Sequence, residues 1–65
     1  MNRRILGIPE AATLLSRSPD TLRWWRKRNE GPPSFKIGRR VVYFEDELLA
    51  WVEEQRRESL PPGAA

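Results

Sequence analysis

The stretch Ser16–Phe44, SRSPDTLRWWRKRNEGPPSFKIGRRVVYF, decides the fold. Ser18-Pro19-Asp20 reads as a helix start, with a hydroxyl N-cap, proline at the first helical position and an acid in the first turn. Gly31-Pro32-Pro33 stops that helix after about Asn29. At about 100° per residue, Leu22, Trp25 and Asn29 fall on one side, while Asp20, Arg23, Trp24 and Lys27 fall on the other. Trp25 is therefore expected in the core and Trp24 at the surface. From Ser34 to Phe44, β-branched and aromatic residues flank Gly38, the signal of a hairpin with Arg39 and Arg40 at its tip. A three-residue loop, Gly38-Arg39-Arg40, sets Ile37 opposite Val41 and Phe35 opposite Tyr43, gathering apolar side chains on one face. A two-residue Gly38-Arg39 turn instead sets Ile37 opposite Arg40 and is the less consistent register.

Upstream, Gly7 or Ile8 opens a first helix, with Pro9 in its first turn and Glu10 facing the positive end of its dipole. Ala12 and Leu15, with Ala11 and Leu14, form its apolar side. The break at Ser16-Arg17-Ser18 leaves two helices about three residues apart, the spacing of a helix-turn-helix whose second helix reads DNA. Downstream, Glu45-Asp46-Glu47 opens a third helix; Leu48, Trp51, Val52 and Gln55 trace its inward stripe, and Arg56 and Arg57 sit near its negative end. The segment from Ser59 to Ala65 has no periodicity and two prolines, so residues 1–58 are read as one domain and 59–65 as a disordered tail. The fold class expected is mainly α with a small β-hairpin: a winged helix-turn-helix.

Charge is distributed to match. Of the 12 Lys and Arg residues, eight lie between Arg17 and Arg40 against two acids, a net of +6, while residues 41–65 carry a net of −4. A positive block on a helix and a hairpin points to a polyanion, against the plainer reading of a solvated charged surface. Arg23 and Lys27 lie one turn apart on the outward face. Thr21, Asp20 and Ser18 stand at the helix end that enters a groove deepest. Arg17 and Arg28 flank that helix, and Lys36, Arg39 and Arg40 lie on the wing beside it. With Trp24, these eleven residues form the expected DNA-binding set. Trp24 remains open between a DNA contact, a contact with a neighbouring subunit and a rim residue.

There is no Cys and no His, which removes disulfides and the usual zinc sites. No nucleophile–base pair or metal cluster is visible, no cofactor is implied, and helix capping accounts for Glu45-Asp46-Glu47. No apolar run approaches the roughly 18 residues of a membrane span and nothing resembles a signal peptide, so a cytoplasmic location and no membrane partner are expected.

Pro9-Glu10-Ala11-Ala12 with Leu14-Leu15, Thr21-Leu22-Arg23 with Trp25-Arg26, Gly31-Pro32-Pro33, Lys36-Ile37-Gly38-Arg39-Arg40-Val41 with Tyr43, and Leu48 with Trp51 together resemble the MerR-like winged-helix proteins. Within these, the chain is most similar to phage excisionases, or recombination directionality factors, over residues 5–57. Its Arg-rich style, Trp-Trp pair and Pro-Gly-Ala tail look like those of actinobacteriophage, and specifically mycobacteriophage, members. Gly7 in place of the more usual Ser or Thr cap, and Arg17 in place of an apolar turn residue, depart from the pattern. The resemblance implies a non-enzymatic protein that binds adjacent sites in a phage attachment region, bends the DNA and directs a phage integrase toward excision. Its implied partners are double-stranded DNA, the integrase and neighbouring copies of itself at the host nucleoid. The opposite charges of the central and C-terminal segments point to head-to-tail contacts between those copies. A prophage transcriptional regulator of the same fold and a protein-interaction adaptor are the competing readings.

Overall fold

The computed structural model describes residues 3–60. Its elements run β1 (Ile5–Gly7), α1 (Ile8–Leu15), α2 (Pro19–Lys27), β2 (Phe35–Ile37), β3 (Arg40–Phe44) and α3 (Glu45–Ser59). Three helices with a small antiparallel sheet make a winged helix-turn-helix. The expected tail falls mostly outside the described residues, since 61–65 are not among them; Ser59 is the last residue of α3.

Local chemistry sets the helix boundaries. Gly7 is extended and its N–H donates to Glu10 Oε1 at 3.2 Å, so the acid in the first turn does part of the capping that glycine lacks a side chain to do. Ser16 closes α1 in the left-handed region, at φ 56°, and Arg17 N–H then reaches back to the Ala12 carbonyl at 2.9 Å. Ser18 Oγ accepts the Thr21 N–H at 3.2 Å, starting α2 with Pro19 at its first position. α2 stops at Lys27, two residues before the expected Asn29. Asn29 itself turns left-handed at φ 56°, and Glu30 N–H closes onto the Trp25 carbonyl at 2.8 Å.

The sheet has the order β1-β3-β2, with β3 paired on both sides. β1 is a strand the periodicity did not suggest: Ile5 opposes Phe44 and Leu6 opposes Tyr43. The hairpin register is the two-residue one, with Ile37 opposite Arg40, Lys36 opposite Val41 and Phe35 opposite Val42. The expected three-residue loop is thus incorrect, for a physical reason. That expectation assumed one apolar face, whereas β3 is apolar on both, so alternation fixes the register only weakly. Gly38, at φ 62°, supplies the positive φ that a tight two-residue hairpin turn needs at its first position.

The inner sheet face carries Leu6, Tyr43 and Val41 toward the helices. There Leu6, Ala11, Ala12, Leu22, Tyr43 and Leu48 form the core, with Ile8, Leu15, Trp25 and Val41 packed around it. The two alanines let α1 approach closely, and Leu14 is left at the surface. On the outer face Phe35 and Phe44 lie with ring centroids 5.0 Å apart, and the Arg3 guanidinium covers Phe44 at 3.6 Å.

α3 buries Leu48 completely, while Trp51 and Val52 are half-buried and Gln55 is exposed, so the inward stripe ends a turn earlier than the spacing suggested. Trp25 and Trp51 pack on each other at 5.6 Å between ring centroids, both half-buried at the core's margin rather than within it. Asn29 is likewise exposed.

Candidate nucleic-acid interface

The turn between α1 and α2 places the N-terminus of α2 at the surface with its cap already made. Ser18 Oγ also lies 2.9 Å from Thr21 Oγ1, so the two hydroxyls at the helix end are held as a pair. Asp20 and Arg23 follow on the outward face, with Arg23 Nη1 donating to Asp20 Oδ1 at 3.0 Å. One turn on, Trp24 is 53% exposed and the Arg28 guanidinium stacks over its ring at 4.6 Å. Arg28 in turn pairs with Glu30 at 3.5 Å. Trp24 is therefore outward and Trp25 inward, as the helical spacing requires, and a cation covers the outward ring.

The fold brings the middle of α2 to the wing. Arg23, Arg39 and Arg40 line one open groove together with Ile5, Gly7 and Val42. Arg23, Arg26 and Lys27 line an adjoining one with Ile8 and Val41. The two share Ile8, Arg23 and Val41, so the cationic side chains of α2 and the wing edge a continuous depression. Of the expected set, Arg23, Lys27, Arg39 and Arg40 are thus gathered along it. Arg17, Ser18, Asp20 and Thr21 stand at the α2 N-terminal end, Trp24 and Arg28 lie on the helix flank, and Lys36 lies on the exposed edge strand β2; none of these lines the depression. Among the described residues no carboxylate lies within ion-pair distance of Arg17, Lys27, Lys36, Arg39 or Arg40. These five charges meet solvent with no carboxylate partner and are free to neutralise phosphates.

Arg26 was missed by the helical-wheel reading, which sorted residues into inward and outward faces only. It sits between them: Arg26 Nε donates to Ser34 Oγ at 2.9 Å, tying α2 to the segment that enters the wing. Its charge also acts on Tyr43, whose phenol is pushed above its usual range by burial and partly drawn back by Arg26. A boundary position between two faces, followed eight residues later by a serine after the Pro-Pro, was the available signal.

Glu10 also lines the first groove and Asp20 pairs with Arg23, but none of the α3 acids lines either groove; those that open α3 pair with the N-terminal arginines instead. Arg3 binds Asp46 through two hydrogen bonds, 3.1 Å from Nε and 3.0 Å from Nη2, with Glu47 at 3.5 Å, and Arg4 pairs with Glu45 at 3.6 Å. The Arg3 hydrogen bonds hold the Asp46 carboxyl below the usual aspartate range, and the Asp46 hydrogen bond holds the Arg3 guanidinium above its own. No group of His, Cys, Asp or Glu able to hold a metal ion occurs among the described residues, and no described helix is long and apolar enough to cross a membrane.

No curated protein and no solved structure matches the chain. A family model described as a helix-turn-helix domain matches residues 5–56, from the first strand to the last turns of α3. That family includes excisionase-like DNA-binding proteins and is typically non-enzymatic. With α1 and α2 forming the motif and a basic wing set beside α2, the chain belongs to this helix-turn-helix family of sequence-specific DNA-binding domains.

Proposed function

We propose that this protein is an excisionase-type directionality factor. It binds adjacent sites in a phage attachment region, bends the DNA and steers an integrase toward excision, within the host cytoplasm at the nucleoid. The observation that carries the DNA-binding part is the convergence of Arg23 and Lys27 of α2 with Arg39 and Arg40 of the wing along one depression. In this reading α2 enters the major groove, Arg23 reads a guanine edge through its fork, and Thr21, Ser18 and Asp20 lie at the deepest end. Arg17, Lys27, Arg28, Lys36, Arg39 and Arg40 contact phosphates, with Trp24 against a sugar or base methyl group.

The excisionase part rests on the sequence resemblance and on size. One domain of this kind covers about 600–1,000 Å² on DNA, too little for tight selective binding alone. Neighbouring copies supply the remainder, head to tail. The basic central segment of one copy meets the acidic α3 of the next, a heterologous contact that need not close. A protein-interaction adaptor is a poorer account, because the positive charge is set on the two elements by which this fold meets DNA.

Footprinting on the DNA beside the protein's own gene, with and without an added phage integrase, tests the proposal. Protection of several adjacent sites, strengthened by integrase, is the expected result. Protection of a single promoter-proximal site, unaffected by integrase, identifies a transcriptional regulator instead.

A further inference from the structure

All three helices carry acids in the first turn, and two of them use one of those acids on a backbone donor. Glu10 accepts the Gly7 N–H and Asp46 accepts the Glu47 N–H. Asp20 does not. The α2 N-terminus is already capped by Ser18, and the Asp20 carboxylate is turned to Arg23, whose Nη1 donates to Oδ1 at 3.0 Å. Its side chain is 93% exposed and that of Arg23 58% exposed, so packing dictates neither position. A carboxylate at the end of α2 that faces DNA repels phosphates, and Asp20 is one of only two acids among the eight central bases.

We propose that Asp20 is a positioning residue that sets the base specificity of Arg23. This rests on the DNA-binding function inferred above. A guanidinium has five N–H donors in a fixed fork. With one Nη1 N–H held by Asp20, its plane and direction are set before DNA arrives, and two further parallel N–H groups remain for O6 and N7 of a guanine. An Arg23 that swung instead to a phosphate would leave Asp20 unpaired beside the negative backbone. Asp20 thus disfavours the non-specific contact as well as orienting the specific one, which is how discrimination rises without a new attraction.

The test is selection from a randomised duplex library with the wild-type chain, Asp20→Ala, Asp20→Asn and Arg23→Ala. Affinity for unselected DNA and circular dichroism melts are measured on each. Wild type is expected to enrich guanine at one position that Arg23→Ala loses. Asp20→Ala loses roughly tenfold of the preference at that same position, while its affinity for unselected DNA rises because an anion has gone. Asp20→Asn, which keeps an acceptor for Nη1, retains an intermediate preference. This split between discrimination and affinity is not produced by a loss of helix stability, which the melts read separately. Preference at the Arg23 position unchanged in Asp20→Ala overturns the proposal. So does a loss at a different base pair, which makes Asp20 a base reader in its own right. Failure of the wild-type chain to enrich any sequence overturns sequence reading itself, and the positioning role with it.

Discussion

Gly31 and Gly38 both take positive φ, 82° and 62°, but their surroundings differ. A Cβ on Gly31 meets the Trp25 ring at 2.9 Å and its Cβ at 3.2 Å, whereas a Cβ on Gly38 meets nothing within 4 Å. Gly38→Ala should therefore cost only backbone strain, about 1–2 kcal/mol. Gly31→Ala adds displacement of Trp25 from its contact with Trp51 and should lower the melting temperature distinctly further. Equal losses in thermal melts would place the Gly31 effect in the backbone alone. At the other end of the domain, the Arg3–Asp46 contact makes stability depend on pH. Because the folded Asp46 pKa is depressed, its contribution is fully present above the ordinary aspartate value of about 3.9 and is lost as pH falls through the lower folded value. Arg3 stays charged throughout that range. Melts from pH 6 downward should show an acid decline that is shallower in Arg3→Ala, and identical curves for the two proteins would remove this ion pair from the stability of the fold.

At the scale of elements, both helix starts of the motif were legible because each rests on a few local bonds: Ser18 with Thr21, and Gly7 with Glu10. Ser18→Ala should cost about 1 kcal/mol, read as a lowered midpoint with an unchanged denaturant slope. No measurable loss would mean that Pro19 and Asp20 suffice to start α2. The outward face of α2 was legible for the same reason, since Leu22 and the Trp24/Trp25 division follow from helical spacing alone. What escaped depends on tertiary partners. Ile5-Leu6 is too short to show a period, and becomes β1 only because β3 offers an edge. The wing register escaped because Val42 and Phe44 find cover on the outer face from Phe35 and Arg3, which no reading of one strand reveals. That register also leaves Ile37 exposed beside Arg40, so the wing tip is less apolar-paired and more open to solvent than the sequence suggested.

Across the whole molecule, charge is sorted by place. The N-terminal arginines and the acids that open α3 neutralise one another through Arg3, Asp46, Glu47, Arg4 and Glu45, while Lys27 of α2 and the wing cations Lys36, Arg39 and Arg40 have no carboxylate partner among the described residues. A protein built this way should bind DNA mainly by displacing counterions, with α2 supplying sequence preference and the wing supplying phosphate contacts. Double-stranded DNA affinity measured across a salt series, for the wild-type chain and for Arg39→Ala/Arg40→Ala, separates these parts directly. With about four to six phosphates contacted, log K against log salt should fall with a slope of roughly −4 to −5 for the wild type, and should be shallower by roughly 2 in the double variant, with sequence preference kept. A wild-type slope near zero, or a slope unchanged in the double variant, would contradict an interface formed by α2 and the wing together.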